Sequence, residues 1–248
     1  MNGVLLVTGG SRGVGAAICR ACAELGYGVA VNFRTNEQQA RAVVDAIVGR
    51  GGTAIAVQGD VTREAEIVAM FDRLDRTFGR ITGLVNNAGG GVGIGAVAET
   101  APAQIEAAIA LNLTGPILCA REAVRRMSTT RGGAGGAIIN VSSMSAFNGG
   151  MGGLANYAAA KGGLESFTIA LANEVGCDGI RVNCIRLGAM ETDAHINDTA
   201  EWRAAMTATI VLRRYGKPDE AANAAAFLLS DKASYITGAI LNVSGGRR

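Results

Sequence analysis

Short runs of β-branched and other apolar residues alternate along this chain with longer segments in which apolar side chains recur at helical spacing. The runs predict strands and the longer segments predict helices. The predicted strands are Val4–Thr8, Gly28–Phe33, Thr53–Gln58, Gly83–Asn86, Ala137–Ser142, Ile180–Leu187 and Ala239–Val243. The predicted helices are Gly13–Leu25, Asn36–Arg50, Arg63–Phe78, Pro102–Met127, Asn156–Val175 and Pro218–Ser230, with a shorter helical pattern through Trp202 and Met206. This alternation predicts an α/β fold, a doubly wound and mostly parallel seven-stranded sheet with helices on both faces.

Nothing in the sequence divides the chain into separate parts. Glycine-rich segments at 89–95, 132–136 and 148–153 adjoin predicted strands, so they indicate loops at the ends of a sheet. We therefore expect one domain over residues 1–248. The segment at about 188–215 lacks a clear long element, and inserts of this kind in compact domains are usually lids or binding loops, so we expect a substrate lid there.

Composition and charge narrow the classes of protein that fit this pattern. Hydrophobic residues make up 49% of the 248 residues and charged residues 18%, which excludes a disordered chain. With 23 basic and 21 acidic residues and no block of like charge, we expect neither nucleic acid nor a membrane as a partner. No uninterrupted apolar run approaches the roughly 18 residues of a membrane-spanning helix.

Cysteine and histidine content bears on location and on metal chemistry. The five cysteines are an odd number and are scattered, and the first residues do not have the pattern of a secretory leader. We therefore expect reduced thiols and a cytoplasmic location. His195 is the only histidine, which excludes a histidine-based triad, and no metal site is expected.

A glycine-rich turn follows the first predicted strand and leads directly into the first predicted helix. Its sequence is Thr8-Gly9-Gly10-Ser11-Arg12-Gly13-Val14-Gly15. Glycines at such a turn let backbone amides approach a pyrophosphate, and the helix N-terminus supplies further donors and partial positive charge. The strand–turn–helix setting predicts a dinucleotide site, although a tight turn that packs for its own sake has the same composition.

The end of the second predicted strand indicates which dinucleotide is favoured. A carboxylate about 20 residues after the glycine turn normally holds the adenosine ribose hydroxyls. Here the strand ends in Asn32-Phe33-Arg34-Thr35, without a carboxylate. Arg34 and Arg12 have the forked donors that bind a 2′-phosphate, so NADP(H) is favoured over NAD(H). The alternative is that both arginines are solvated surface residues.

Tyr157 and Lys161 form a pair suited to acid–base chemistry. They lie four residues apart in a stretch of high helix propensity, so the phenol and the ammonium share one helix face. An isolated tyrosine has a pKa of about 10, and a neighbouring ammonium in a cleft lowers it by stabilising the phenolate. Taken alone, a tyrosine and a lysine at this spacing often occur by chance, and the alternative is a surface cation packed on an aromatic ring.

Further motifs follow the other predicted strands in order along the chain. They are Gly59-Asp60-Val61, Asn86-Asn87-Ala88-Gly89, Asn112, Ser142-Ser143 and Thr237-Gly238. With the glycine turn and the Tyr157/Lys161 pair, this ordered set resembles the short-chain dehydrogenase/reductase family, and the resemblance runs from Thr8 to Gly246. It implies a Rossmann domain and an NAD(P)-dependent enzyme that acts on CH–OH groups.

The resemblance implies a catalytic role for four residues. Tyr157 is expected to exchange a proton with a carbonyl or alcohol oxygen. Lys161 is expected to lower the Tyr157 pKa and to hold the nicotinamide ribose, while Ser143 donates a hydrogen bond to the substrate oxygen. Asn112 is expected to help hold a water that links Lys161 to solvent.

The resemblance also implies where a cofactor is bound. The glycine turn is expected to border the phosphates, Asp60 and Val61 the adenine, and Gly188 and Thr192 the carboxamide end. The full set of expected cofactor-binding residues is Gly9, Ser11, Arg12, Gly13, Val14, Arg34, Asp60, Val61, Asn87, Ala88, Gly89, Tyr157, Lys161, Gly188 and Thr192.

Two positions depart from the family pattern. Leu187 precedes Gly188 where a proline is common, so the turn beside the nicotinamide is expected to be less constrained. Ser143 lies 14 residues before Tyr157, one more than in many members, which leaves Ser142 as a second candidate for the serine role.

The substrate pocket is expected between the loop after Gly89, the segment 149–154 and the lid. Its lining candidates are apolar and include several methionines: Val92, Ile94, Met144, Phe147, Met151, Leu154, Met190, Trp202, Met206 and Ile210. Each of them is also explained by packing in the core. Such a lining favours a bulky or adaptable carbonyl compound over a small anion.

The leading hypothesis is an NADP(H)-dependent oxidoreductase that transfers a hydride between nicotinamide and a ketone or secondary alcohol. The substrate is a small molecule such as a 3-oxoacyl or sugar compound; Asn173, where carrier-protein reductases tend to have arginine, weakens the carrier-protein version. The alternative is a catalytically silent NADP-binding regulator of the same fold. Because the family is usually tetrameric, a homotetramer or homodimer is expected.

Overall fold

The computed structural model describes residues 2–193, 196 and 198–247, and within them the chain forms a seven-stranded sheet in which every pair of neighbours is parallel. The strands are β1 Gly3–Val7, β2 Tyr27–Phe33, β3 Thr53–Gln58, β4 Gly83–Asn86, β5 Gly136–Ser143, β6 Ile180–Leu187 and β7 Ile240–Val243. Their order across the sheet is β3-β2-β1-β4-β5-β6-β7. The predicted doubly wound α/β fold is therefore confirmed.

Helices cover both faces of this sheet. They are α1 Gly13–Glu24, α2 Glu37–Val48, α3 Glu64–Phe78, α4 Pro102–Ile109, α5 Gly115–Met127, α6 Ser145–Asn148, α7 Ala155–Val175, α8 Ala200–Ala208 and α9 Pro218–Leu229. Helices α1, α2 and α9 pack on one face, and α3, α5 and α7 pack on the other.

The core consists of two apolar layers, one on each side of the sheet. Val31 of β2 and Ile18 of α1 belong to the first layer, and Leu84 of β4 and Phe71 of α3 belong to the second. Because strands of a parallel sheet are buried on both sides, they are apolar along nearly their whole length. Full burial of each such apolar side chain stabilises the fold by about 1.5–3 kcal/mol.

The segment predicted as one helix over Pro102–Met127 is interrupted by a π-helical turn at Ala110–Thr114. Pro116 explains the interruption, because a proline inside a helix lacks the N–H and its ring crowds the carbonyl four residues earlier, here that of Asn112. The wider turn accommodates the ring, and the Asn112 side chain donates to the Ala108 carbonyl at 3.0 Å. The turn places Asn112 in the interior of the protein.

Pro102–Met127 is also long and apolar enough, by length and composition, to span a membrane, and it is the one such helical stretch among the described residues. The sequence contains no uninterrupted apolar run of that length, but its many alanines raise the mean hydropathy of this stretch. The α5 part packs against α3 and α7 and buries Glu122, which pairs with Arg126 at 2.7 Å. A core helix of this composition meets the same criterion.

The segment that follows β6 is attached to the body of the protein at several points. Met190 pairs with Gly216, and the Leu212 amide donates to the Gly245 carbonyl at 3.0 Å. Met206 and Ile210 are buried in a small apolar cluster with Tyr215. His195, considered in the sequence, lies outside the described residues.

Candidate active site

The candidate site lies where the strand order reverses, between β1 and β4, at the carboxyl ends of the strands. Loops that leave adjacent parallel strands in opposite directions open a crevice at such a point. The glycine turn follows β1, the segment 87–89 follows β4, Ser143 ends β5 and Gly188 follows β6. The fold therefore brings four motifs from distant parts of the sequence to one edge.

The glycine turn is held closely against the end of β4. Gly9 and Gly13 have positive φ angles of 61° and 53°, which L side chains rarely adopt. A Cβ on Gly15 would collide with the Gly9 carbonyl oxygen. The Thr8 hydroxyl accepts hydrogen bonds from the amides of Asn87 and Ala88, both at 3.0 Å. Side chains larger than hydrogen would therefore disrupt the turn.

The residues of this turn fit a bound pyrophosphate. Helix α1 begins at Gly13, its N-cap residue Arg12 makes no side-chain cap hydrogen bond within the described chain, and its first turn contains no acidic residue. The first amides of a helix lack intrahelical acceptors, so an anion can accept from them.

Asn32 is a structural residue of the site that the sequence motifs did not indicate. It is buried at the end of β2, where its Oδ1 accepts from the Gly9 amide and its Nδ2 donates to the Gly59 carbonyl, both at 3.0 Å. A buried amide with both ends bonded fixes the geometry of its neighbours. Asn32 thus connects the glycine turn to the Gly59-Asp60 segment.

The structure brings Tyr157 and Ser143 together. Tyr157 lies in the first turns of α7, and a hydrogen bond joins its hydroxyl to that of Ser143. The Ser143 hydroxyl also accepts from the Ser145 amide at 3.2 Å. Ser142 points elsewhere: its buried hydroxyl donates to Glu165 Oε1 at 2.8 Å. Ser143 is therefore the serine placed to act with Tyr157.

Lys161 is buried beneath these hydroxyls, with 3% of its surface exposed. Its Nζ donates to the Val141 carbonyl at 2.8 Å and lies 5.9 Å from the centre of the Tyr157 ring. A Cβ on Gly89 would be 3.0 Å from that Nζ and 2.9 Å from Asn112 Oδ1. The Lys161 ammonium and the Asn112 amide oxygen therefore both lie next to Gly89.

The Tyr157 pKa in the unliganded structure is raised, whereas Lys161 was expected to lower it. Burial raises the Tyr157 pKa above its usual value, and the hydrogen bond with Ser143 opposes this only in part. Burial lowers the pKa of Lys161 to about 8. The physical reason is desolvation, because burial disfavours the charged form of both groups. The Lys161 ammonium donates to a backbone carbonyl rather than to the phenol.

The two arginines expected at the adenosine end are both exposed. Arg12, whose side chain is 67% exposed, lies 3.7 Å from Asp193 Oδ2, and Arg34 lies near Asp60. Burial opposes ionisation of Asp60, but hydrogen bonds from Thr62 and the charge of Arg34 leave its pKa below the usual value. A broad surface depression is bordered by the glycine turn, α1, α2 and α9, and its lining includes Ser11, Arg12, Arg20, Gln39 and Asp219.

The expected carboxamide end lies close to the glycine turn. A Cβ on Gly13 would be 3.3 Å from the Thr192 methyl carbon, so Thr192 lies over the turn. A Cβ on Gly188 would be 2.8 Å from the Ser244 Cα, which requires glycine there. Leu187, at the position where proline is common, uses its carbonyl to accept from the Met144 amide at 2.8 Å.

The lining candidates divide into two groups. One group is buried and packs in the core, which was the alternative explanation for each candidate; it consists of Met144, Met190, Met206 and Ile210. Ile94, Phe147, Met151 and Trp202 are exposed, and Val92 and Leu154 are half-buried. The loops that carry them are joined, since the Gly95 amide donates to the Gly153 carbonyl at 3.0 Å.

Comparison with known proteins agrees with this geometry. A family model described as enoyl-(acyl carrier protein) reductase matches residues 9–248. The chain is 41% identical to the uncharacterized oxidoreductase YgfF of Escherichia coli, with 98% of this chain and 99% of that protein covered. It is 39% identical to a Synechocystis 3-oxoacyl-[acyl-carrier-protein] reductase, with 98% of this chain and 96% of that protein covered. Its structure is similar to that of a Serratia marcescens short-chain dehydrogenase/reductase, with a TM-score of 0.92, 33% identity, and 99% of this chain and 98% of that chain covered.

The chain belongs to the short-chain dehydrogenase/reductase family. This confirms the resemblance drawn from the ordered motifs, and it makes the protein an oxidoreductase that acts on small molecules. A further relative of known structure is a blue fluorescent protein from a metagenomic library in complex with NADPH, with a TM-score of 0.91, 32% identity, and 99% and 97% covered.

Proposed function

We propose that this short-chain dehydrogenase/reductase uses NADP(H) to interconvert a ketone and a secondary alcohol. The observation that carries the proposal is the convergence of Tyr157, Ser143 and Lys161 beside a glycine turn able to hold a pyrophosphate. Bound NADP(H) supplies or accepts the hydride. The chain's own residues bind the substrate oxygen and move the proton.

Each catalytic residue has a role that its position supports. In the reducing direction the Tyr157 hydroxyl gives its proton to the carbonyl oxygen, and Ser143 donates a hydrogen bond to the same oxygen. The raised pKa of Tyr157 keeps the phenol protonated, as this direction requires. Lys161 holds the ribose of the cofactor, and Asn112, beside it, orients a water that returns a proton from solvent.

The preference for NADP(H) rests on Arg12 and Arg34. Both are exposed. Arg12 is the N-cap residue of α1 in the turn after β1, and Arg34 directly follows the adjacent strand β2, where a carboxylate is absent. The NADPH complex of the metagenomic blue fluorescent protein supports this choice of cofactor.

NADPH is expected to raise the melting temperature more than NADH at equal concentration, because a ligand that binds only the folded protein stabilises it by RT ln(1 + [L]/Kd), which is larger for the tighter ligand. Replacing Arg34 by alanine should remove most of this difference by deleting a phosphate contact of about 1.5–3 kcal/mol. Differential scanning fluorimetry measures both effects. Arg41→Ala, an exposed arginine of α2 paired with Glu37, is the matched control. An equal or larger rise with NADH contradicts the proposed preference.

Asp193→Asn is expected to strengthen NADPH binding about two- to fourfold and to leave NADH binding nearly unchanged. Asp193 lies 3.7 Å from Arg12 and competes with a 2′-phosphate for that guanidinium, but exposed pairs of this kind contribute at most about 1 kcal/mol. Titration calorimetry with both cofactors measures the change. Equal changes for the two cofactors would show that Asp193 acts without regard to the phosphate.

The proposed substrate is a bulky or adaptable carbonyl compound. Three exposed apolar side chains, Ile94, Met151 and Trp202, belong to the segments expected to surround the site, and a fourth, Phe147, lies on α6. The 39% identity to a 3-oxoacyl-[acyl-carrier-protein] reductase supports a 3-oxoacyl compound among the possibilities. A panel of aldehydes, ketones, sugars and oxoacyl thioesters, followed by the loss of NADPH absorbance, tests the proposal. Tight NADPH binding without turnover of any panel member would favour the silent regulator instead.

We further propose one domain over residues 1–248, a lid at about 188–215, and a homodimer or homotetramer. Phe227 of α9, Leu241 of β7 and the intervening Tyr235 are exposed at one end of the sheet. Exposed apolar groups of this size at a sheet edge are typical of an interface between subunits.

A further inference from the structure

Arg186, near the end of β6, contacts three other elements of the fold. Its Nε and Nη2 donate to the two carboxylate oxygens of Glu165 on α7 at 2.7 and 2.6 Å. Its Nη1 donates to Asn242 Oδ1 on β7 at 3.0 Å, and its guanidinium lies 5.1 Å from the centre of the Phe147 ring on α6. The family motifs include neither Arg186 nor Glu165.

Glu165 extends these contacts to the catalytic elements. It lies one turn after Lys161 on α7, and its Oε1 also accepts from the Ser142 hydroxyl at 2.8 Å. Ser142 in turn precedes Ser143 on β5. The buried carboxylate therefore joins the strand that carries Ser143 to the helix that carries Tyr157 and Lys161. A buried ion pair is costly to break because the remaining charge loses its partner.

Arg186 is the second-last residue of β6, so its contacts fix the end of this strand. The next residue, Leu187, is the last of β6 and pairs with Ser143 of β5. The Leu187 carbonyl accepts from the Met144 amide, which extends the β5–β6 pairing beyond Ser143. Two hydrogen bonds to one carboxylate fix a guanidinium in a single orientation. Arg186 thus restrains the end of β6 directly beside Ser143.

We infer that Arg186 is a positioning residue, which holds the segment from Ser143 to Phe147 against α7 through Glu165 and the Phe147 ring. The inference rests on the proposed function for its catalytic consequence, since the segment carries the hydrogen-bond donor to the substrate oxygen. Phe147 is 61% exposed, so the same contact sets where an aromatic ring meets an incoming substrate.

The chain contains a closely matched ion pair away from the site. Arg126 of α5 has a side chain 15% exposed, against 13% for Arg186. It donates to Glu122, Asp72 and Asp75, and its guanidinium lies 5.1 Å from the Phe71 ring. Loss of Arg186 removes the arginine that pairs with the buried Glu165, whereas without Arg126 the buried Glu122 keeps its ion pairs with Arg121 and Arg125. Arg126→Gln therefore controls for the loss of a partly buried arginine and its ring contact in another segment.

Hydrogen–deuterium exchange of the unliganded protein tests the inference directly. In Arg186→Gln, amides of the segment 143–149 are expected to exchange about tenfold faster, because local opening no longer breaks the ion pair. In Arg126→Gln the increase should be confined to α3 and α5. If Arg186→Gln does not fold, Arg186→Lys, which keeps the charge and loses the fork, should give a smaller increase in the same segment. Unchanged exchange over 143–149, or the same increase in both arginine variants, overturns the inference.

Kinetics provide a readout that simple destabilisation would not change. With a substrate found in the carbonyl panel, Arg186→Gln should lower kcat about tenfold and raise the primary isotope effect measured with C4-deuterated NADPH, because misalignment slows hydride transfer itself. Arg126→Gln should leave the isotope effect unchanged. An unchanged isotope effect in Arg186→Gln overturns the catalytic part of the inference. If the unaltered enzyme turns over no carbonyl compound, the proposed function fails, and the exchange experiment still decides the positioning role.

Discussion

Tyr157→Phe is expected to lower kcat for carbonyl reduction by about a thousandfold, within the 10²–10⁴ range typical of a lost general acid. Phenylalanine keeps the ring that packs at the start of α7 but has no hydroxyl to give a proton or to bond to Ser143. The affinity for NADPH should change by only about twofold, because Tyr157 is one of many residues expected to bind the cofactor and the glycine turn, the arginines and Lys161 are intact. Steady-state kinetics, together with calorimetric titration of NADPH, separate the two effects.

Tyr27→Phe is the matched control for this loss. Tyr27 is also partly buried, and its hydroxyl makes one hydrogen bond, to the Leu229 carbonyl at 3.4 Å, but it lies at the amino end of β2, far from Ser143. This variant should keep its kcat. If Tyr157→Phe retained more than about a tenth of the activity, another group would have to supply the proton, and the proposed role of Tyr157 would be wrong.

Lys161→Met is expected to abolish turnover and, in the unliganded protein, to change how stability depends on pH. The folded-state pKa of Lys161 is about 8, below the ordinary 10.5, because its ammonium is buried. Between these values the unfolded chain binds a proton that the folded chain lacks, so the stability of the unaltered protein rises as the pH rises from 8 to 10.5. Below pH 8 the full penalty for the buried charge, about 3 kcal/mol, is present.

Methionine has a similar shape and carries no charge, so the variant avoids this penalty but loses the hydrogen bond to Val141. The unfolding free energy of Lys161→Met minus that of the unaltered protein should therefore be about 2–3 kcal/mol larger at pH 7 than at pH 10. Urea denaturation at both pH values measures it. Lys232→Met, at an exposed lysine, should show no such difference. A pH-independent difference for Lys161→Met would show that its ammonium is not destabilised by burial.

These two variants illustrate a trade-off between stability and activity at the site. An ammonium with 3% exposure is unfavourable for folding, and a buried phenol has a raised pKa. Both features suit a site in which the buried ammonium binds a ribose and the protonated phenol donates to a carbonyl oxygen. Strain of this kind is concentrated at functional sites and is compensated elsewhere in the fold.

The strands and most helices could be predicted from the sequence because burial on both faces of a parallel sheet leaves a distinct apolar pattern. Strands β3, β4 and β6 have the predicted bounds, and the other strands differ by one residue at one or both ends. The segment Pro102–Met127 was the main error, since helical periodicity continues through Pro116 while the backbone does not. A proline inside a predicted helix is the signal that could have indicated the π-helical turn and the burial of Asn112.

The order of the motifs along the chain was enough to identify the family and to select Tyr157, Lys161 and Ser143, because spacing and residue type are properties of the sequence. Only the tertiary structure decided how these groups interact. It brought Ser143 rather than Ser142 to Tyr157, directed the Lys161 ammonium to a backbone carbonyl and raised the pKa of Tyr157. It also paired Arg186 with Glu165 across 21 residues. Burial and distance control these properties, and both arise from how remote segments pack rather than from the residues that each segment contains.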